Sequence, residues 1–162
     1  KENLIIERKS EKLSLFWNIL TANLQEVHHA KPVHSLEEMA LLHRRFPDNT
    51  PLYMARQDEK YLAGILLYTT HNVVHTQYIS ATERGKALHA IDAICYQIIK
   101  EDYKDVHYFD FGTSNEDSGC FLNAGLIQQK EGFGGRAVCY DQYEWEITED
   151  LLTSSCLPTI RK

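Results

Sequence analysis

"LYMARQDEKYLAGILLYTTHNVVHTQYISATERGKALHAIDAICYQIIKED", residues 52–102, is the stretch that decides the fold. It begins with three apolar-rich runs, 52–57, 61–70 and 73–80, which short polar turns separate. Strands joined by such short turns form an antiparallel meander. Apolar residues at helical spacing follow in 81–102: Leu88, Ile91, Ile94, Cys95, Ile98 and Ile99. The stretch therefore predicts three antiparallel strands followed by one long helix that faces the core.

The flanking sequence adds helices before this stretch and a strand after it. Apolar residues spaced three and four apart predict an amphipathic helix over 10–25, and Ser35 with Glu38 forms a capping box for a second helix. "VHYFDFG", 106–112, predicts a strand, which the helical crossover places parallel to the third strand. The order of elements predicts an α/β (α+β) fold, with a mixed, largely antiparallel sheet flanked by helices.

The last third of the chain has weaker patterns. "TSNEDSGCFLNAG", 113–125, is typical of a short helix with Ser114 or Asn115 as its cap and Gly125 as its end. In 137–147, Tyr143, Trp145 and Ile147 alternate with polar residues, which predicts a half-exposed strand. Residues 151–162 are expected to be a C-terminal tail.

Composition narrows the classes of function. The chain has 162 residues, 43% of them hydrophobic, which suits one domain, and its net charge of −6 without a basic run argues against DNA binding. No apolar run approaches the roughly 18–20 residues of a membrane span, so no membrane contact is predicted. Four scattered cysteines without a CxxC pair predict reduced thiols and a cytoplasmic protein, and no histidine or cysteine spacing predicts a metal site.

The junction of the third strand and the long helix, "HTQYISATERGKALHA" (75–90), is a candidate anion site. A strand that leads into a glycine-containing turn at a helix N-terminus leaves backbone N–H groups for a phosphate. Gly85 would permit close approach, and Lys86 would add a charge. The alternative is an ordinary strand-to-helix turn that happens to contain one glycine, and spacing alone leaves both open.

A second candidate segment is "GLIQQKEGFGG", 125–135, which holds four of the chain's eight glycines. So many glycines indicate close backbone approach or repeated positive φ. In one interpretation the segment borders a cleft, with Phe133 packed beneath and Lys130 projecting into the cleft. In the other it is a glycine-rich hairpin with a solvated lysine.

Two of these segments carry a resemblance to known proteins. The order of elements is similar to the GNAT (N-acyltransferase) fold, whose acyl-CoA pyrophosphate loop reads Arg/Gln-x-x-Gly-x-Gly/Ala; in "TERGKA", Gly85 and Ala87 match this loop and Thr82 departs from it. Residues 108–145 resemble the C-terminal GNAT-like domain of Fem-type and BioF2-like acyltransferases. The positions that match these families are Asp110, Gly112, Lys130, Gly132, Phe133, Gly134 and Gly135.

The resemblance implies an N-acyltransferase that moves an acyl group from acyl-CoA, or from aminoacyl-tRNA, to an amine acceptor such as a cell-envelope precursor. It places the domain in 31–150, makes 1–30 a connector helix, and implies a GNAT-like domain before it in the same protein. Lys130 would lie at the acyl-transfer site. The donor-binding candidates are Ile79, Ala81, Thr82, Gly85, Lys86 and Ala87. The alternative is a non-catalytic half that binds the acceptor or supports a catalytic N-terminal domain.

Acyl transfer to an amine needs a base, an acid and an oxyanion donor. We expect His75 or Asp110 as the base, with Lys130 as a partner for Asp110, and Tyr78 as an acid for the leaving thiolate. Regular alternation along the third strand separates His75 from Tyr78, so this base and this acid are not expected to meet. The candidates for acceptor binding are Gln77, Ser114, Asn123, Phe133 and Gly134.

Overall fold

The computed structural model of the chain describes residues 3–141, 143 and 144. Its strands are β1 (Ile5–Glu7), β2 (Leu52–Gln57), β3 (Lys60–Thr69), β4 (Val73–Ala81), β5 (Tyr108–Asp110), β6 (Asn115–Glu116) and β7 (Phe121–Leu122). Its α-helices are α1 (Leu13–His28), α2 (Leu36–Arg45), α3 (Glu83–Ala87), α4 (Ala90–Tyr96) and α5 (Ala124–Gly132). Among the described residues, no helix is both long and apolar enough to cross a membrane.

The main sheet has the order β1-β2-β3-β4-β5, and every pairing is antiparallel except that of β4 with β5. The predicted mixed, largely antiparallel sheet is therefore confirmed. The sequence did not predict β1, which pairs with β2 from Ile5↔Arg56 to Glu7↔Met54. The segment 1–30, expected to be a connector helix, thus supplies a strand and the helix α1 to this sheet.

Helices cover both faces of the sheet. On one face, α1 and α2 close a core that contains Phe16, Leu20, Met39 and Leu66, all at most 2% exposed. On the other face, Ala90, Ile94 and Cys95 of α4, and Ile98 just after it, pack against β2, β3 and β4. Burial raises the pKa of the Cys95 thiol to about 12, so this thiol stays protonated.

The helix predicted to be continuous over 81–102 has three parts. It forms α3 and α4 and then a π-helical segment, Gln97–Asp102. The break falls at His89, whose φ of 52° is left-handed. The apolar spacing indicated the buried stripe correctly, but the positive φ of a histidine has no sequence signature.

Three predictions for residues 113–135 are wrong. Residues 115–122 form a small hairpin, β6 with β7, where a short helix was expected, and Gly125 lies in the first turn of α5 where it was expected to end a helix. The reason is Asn123, whose Oδ1 accepts the N–H of Leu126 at 2.9 Å and so starts α5 ahead of the glycines. The glycine-rich hairpin is wrong for the same reason.

The strand predicted over 137–147 is absent from 137–141, 143 and 144, where Tyr143 is 87% exposed. Trp145 and Ile147, the other apolar positions of that pattern, lie outside the described residues, as does the tail 151–162.

A partly buried polar network ties the N-terminal segment to the π-helical segment. Asp102 accepts the Tyr53 hydroxyl at 2.8 Å and the Gln97 amide at 3.1 Å, and pairs with Arg8 at 3.0 Å. Burial, and then the bond to this carboxylate, raise the pKa of Tyr53 above its ordinary value.

Changing Asp102 to Ala should lower the free energy of unfolding by about 1.5 kcal/mol, because it leaves the buried Tyr53 hydroxyl without its acceptor. Urea unfolding measures this loss, and Asp105→Ala, at an exposed loop position, is the control. Equal stability of the two variants would contradict a stabilising role for the network.

Candidate active site

A β-bulge in β4 sets the direction of the candidate catalytic side chains. Tyr78 pairs with Leu66 and Thr76 pairs with Leu67, so Gln77 has no partner on β3. The extra residue reverses the alternation, so that His75 and Tyr78 both lie on the face covered by α1 and α2. The prediction that they point to opposite faces is wrong, because regular alternation does not hold across a bulge.

β4 and β5 separate beyond His75 and Asp110, the last two residues that they pair. Their parallel pairing runs from Val73↔Tyr108 to His75↔Asp110, where β5 ends, whereas β4 continues to Ala81. At its far end the N–H of Thr82 donates to Leu62 on the β3 side. Since antiparallel residues alternate in direction, the N–H groups of Ile79 and Ala81 point away from β3, toward the gap. Two of the predicted donor-binding residues therefore border this gap.

His75 and Asp110 form a hydrogen-bonded pair where the strands part. Nδ1 of His75 lies 2.7 Å from one carboxylate oxygen of Asp110, and the other oxygen accepts the N–H of Gly112 at 2.7 Å. Burial raises the pKa of Asp110, but the bonds from Gly112 and His75 and the nearby Lys130 charge outweigh it, so this pKa lies below the ordinary 3.8.

The sign of this shift fixes the pH range in which the pair is stable. Because the folded-state pKa of Asp110 lies below the unfolded value, the ionised carboxylate contributes stability above pH 3.8, and the contribution is lost as pH falls through the folded pKa. The pair then leaves Nε2 of His75 as the ring nitrogen available to a substrate.

Lys130 lies next to this pair and holds the loop that follows β5. Its ammonium donates to the carbonyls of Gly112 at 3.1 Å and Thr113 at 2.5 Å. Burial lowers the pKa of Lys130, and the negative charge of Asp110 opposes that change. The structure thus brings together three of the four predicted catalytic residues, and Lys130 contacts backbone carbonyls there.

The glycines after Lys130 close the end of α5. A Cβ on Gly135 would lie 2.9 Å from the carbonyl oxygen of Lys130, and Gly134 has a φ of 91°. Phe133 stacks on Phe111 with ring centroids 5.7 Å apart. The close backbone approach predicted for these glycines is therefore an approach to the helix's own carbonyl group.

The turn at 82–87 is built mainly for contact between α3 and β3. Oγ1 of Thr82 accepts the N–H of Gly85 at 3.1 Å, and a Cβ on Gly85 would lie 2.3 Å from the Leu62 carbonyl oxygen. The ammonium of Lys86 pairs with Glu83 at 2.7 Å, and Ala87 ends the helix. The amide of Gly85, a candidate for phosphate binding, is thus bonded to Thr82.

Tyr78 has a partner that the sequence did not predict. Its hydroxyl lies 2.7 Å from Nδ1 of His34, a residue in the connection between α1 and α2. The Trp17 ring packs edge-on against the Tyr78 ring, with ring centroids 5.3 Å apart. His34 also lines an open groove of about 790 Å³ between α1 and residues 31–38. No pattern indicates this contact, because 44 residues separate the two side chains.

The remaining acceptor-binding candidates lie apart from the His75–Asp110 pair or serve the local fold. Asn123 caps α5 and donates to Glu116 at 2.7 Å, and the carbonyl of Ser114 accepts the N–H of Asn123. Gln77 is the bulge residue and is half-buried. Within the described part of the chain, no group of three or more His, Cys, Asp or Glu side chains could hold a metal ion.

Solved structures share this fold. A possible acetyltransferase from Clostridium difficile 630 superposes with a TM-score of 0.62 at 11% identity, covering 90% of this chain and 99% of that one. An aminoglycoside acetyltransferase from an uncultured soil metagenomic sample, in complex with sisomicin, gives 0.57 at 13% identity (88% and 97%). Glucosamine-6-phosphate N-acetyltransferase from Arabidopsis thaliana gives 0.58 at 9% identity (89% and 99%).

Sequence comparison assigns the family. No curated protein matches the chain at a significant level. Residues 3–117, which include the sheet from β1 to β5 and the His75–Asp110 pair, match the acetyltransferase (GNAT) domain family. The chain therefore belongs to the acetyltransferase (GNAT) domain family and is an acyltransferase.

Proposed function

We propose that this domain transfers an acetyl group from acetyl-CoA to a primary amine in the gap between β4 and β5. The observation that carries the proposal is the His75–Asp110 pair, which lies where the two strands part and leaves one ring nitrogen of His75 for the acceptor. Family membership supports the thioester donor and the amine acceptor. The fold likenesses support the same architecture.

The proposed reaction forms a C–N bond and breaks the C–S bond of the thioester. Nε2 of His75 takes a proton from the attacking amine, while Asp110 holds the proton on Nδ1. The N–H of Ile79 points into the gap and donates to the thioester oxygen as negative charge develops there. Tyr78, on the same face as His75, supplies the proton that the leaving thiolate needs.

The donor's phosphates are assigned to the far end of β4. The first turn of α3 and the side chain of Lys86 lie beyond Ala81, and a helix N-terminus favours a negative group. The N–H of Gly85 already donates to Thr82, so Gly85 is not expected to bind phosphate directly. Its contribution is that it lacks a side chain and so lets α3 approach β3 closely.

Within the GNAT family, we propose that the domain belongs to the Fem-type and BioF2-like branch. It is supported by the match of Asp110, Gly112 and Lys130 to that pattern and by the contact between Lys130 and the loop after β5. This branch implies a cell-envelope precursor as acceptor, cytoplasmic action, aminoacyl-tRNA as the alternative donor, and a further GNAT-like domain before this one.

A second candidate function is a non-catalytic half that binds the acceptor or supports a catalytic N-terminal domain. The observation that favours it is the segment "TERGKA", which resembles the acyl-CoA pyrophosphate loop. Here Thr82 replaces the expected Arg or Gln and accepts the hydrogen bond from the N–H of Gly85. It predicts that Lys130→Ala weakens acceptor binding in the full-length protein and leaves donor binding unchanged. Turnover by the 162-residue chain alone would refute it.

Acetyl-CoA at 100 times its Kd should raise the free energy of unfolding by about 2.7 kcal/mol, because it binds only the folded state. Thermal unfolding with acetyl-CoA, compared with pyrophosphate at equal ionic strength, measures this. A panel of primary amines with a thiol-detecting reagent then measures release of CoA. No stabilisation and no thiol release by the full-length protein would contradict the proposed function.

A further inference from the structure

The bond between His34 and Tyr78 has two states that differ in where the hydroxyl proton points. Tyr78 Oη lies 2.7 Å from Nδ1 of His34 and 3.4 Å from its backbone N. A neutral imidazole with a bare Nδ1 accepts the hydroxyl proton. An imidazolium carries protons on both nitrogens, so it must donate to Tyr78, and the hydroxyl proton turns to another acceptor.

The leaving thiolate needs an acid, and a tyrosine alone differs in acid strength from a tyrosine that is hydrogen-bonded to an imidazolium. A thiolate leaves when the thioester C–S bond breaks, and it has to gain a proton. A free phenol is about thirtyfold weaker as an acid than a free thiol, whereas a free imidazolium is about a hundredfold stronger. A phenol alone is therefore the poorer proton source for a thiolate, and a phenol that is hydrogen-bonded to an imidazolium is the better one.

We propose that His34 is a positioning residue that acts through Tyr78 as a proton relay to the leaving thiolate; the inference rests on the function proposed above. As the C–S bond breaks, its electron pair stays on sulfur. The O–H bond of Tyr78 breaks and an S–H bond forms. The Tyr78 oxygen takes the proton from Nδ1 of His34, and the imidazolium becomes neutral.

The surroundings of His34 allow its ring to be reprotonated after each turnover. The ring is half-buried and lines the groove between α1 and residues 31–38, so water can reprotonate it. Two charged side chains, Glu38 and Lys31, line the same groove. On the strand side, the phenol Tyr68 interacts electrostatically with Tyr78, and Trp17 packs against the Tyr78 ring.

The test separates a relay from a structural hydrogen bond. In His34→Asn, the amide oxygen can still accept from Tyr78, but the side chain carries no proton that it can give up. We expect this variant in the full-length protein to keep wild-type thermal stability and KM. We expect its single-turnover rate of CoA release to fall about tenfold, and the decline in rate toward high pH that a relay predicts for the wild type to be absent from the variant. His89→Asn, at an exposed histidine paired with Asp92, is the matched control.

A double-mutant cycle completes the test. Tyr78→Phe should lose as much rate as His34→Asn, and the double variant should lose no more than either, because both changes break one relay. A wild-type rate and pH profile in His34→Asn, or additive losses in the double variant, would overturn the relay and leave the proposed function in place. Absence of CoA release by the wild type would instead refute the proposed function, and the relay with it.

Discussion

Replacing Asp110 with Asn should lower the turnover number of acetyl transfer about 100-fold or more. One oxygen of the carboxylate holds Nδ1 of His75, and the other accepts the N–H of Gly112. The amide oxygen of Asn can keep the contact with Gly112, but its NH₂ group then faces His75 and can only donate to Nδ1. This places the ring proton on Nε2, the nitrogen that has to accept the proton of the amine.

Steady-state kinetics with acetyl-CoA and an accepted amine measure this loss. The KM for acetyl-CoA should stay unchanged, because the donor is assigned to the other end of β4. Asp105→Asn, in the exposed loop before β5, should behave as wild type. His75→Ala should lose a similar factor, and the double variant should lose no more than the larger single effect. Full activity in Asp110→Asn would exclude the pair as the base.

Replacing Gly85 with Ala should lower the free energy of unfolding by about 3 kcal/mol and weaken binding of acetyl-CoA. The added Cβ would lie 2.3 Å from the carbonyl oxygen of Leu62 and 3.0 Å from its carbonyl carbon. Both atoms belong to the backbone of β3, where Tyr61 and Ala63 on either side pair with β2 and the Leu62 carbonyl accepts the N–H of Thr82, so they have little room to move. The helix α3 would therefore have to shift, together with its bond from Thr82 to Leu62.

Urea unfolding gives the stability of this variant, and titration with acetyl-CoA gives its affinity. Gly132→Ala is the matched control, because a Cβ on Gly132, the last residue of α5, meets no atom within 4 Å. It should leave stability unchanged or raise it by up to about 1 kcal/mol. Wild-type stability in Gly85→Ala would mean that α3 does not touch β3 as described.

Periodicity predicted the parts of the fold that are long and repetitive. The strands β2, β3 and β4 and the stripe of α4 each repeat an apolar pattern over several residues, and the capping box of Ser35 with Glu38 is present. The short elements could not be predicted in this way. Three residues of β1 and two each of β6 and β7 are too few for a period, and they form because neighbouring segments pair with them.

The candidate site was predicted where a side chain follows a recognisable element, and missed where it depends on tertiary contact. Asp110 ends an aromatic strand and Lys130 lies in an unusual glycine-rich run, so both stood out. The face of Tyr78 was predicted wrongly because the bulge at Gln77 depends on the register with β3. The contact of His34 with Tyr78 was missed because it joins the connection between α1 and α2 to β4, which sequence spacing does not encode.

The short pairing between β5 and β4 affects how easily these two strands separate transiently. Only three residue pairs join β5 to β4, whereas β3 and β4 share seven aligned pairs. In the part of the chain that the structure describes, β5 is the last strand of the sheet, so transient local unfolding begins more easily there than in the centre. Because His75 lies on one side of that boundary and Asp110 on the other, each such opening separates the imidazole from its carboxylate. The lifetime of the closed edge thus limits how long the proposed base remains assembled.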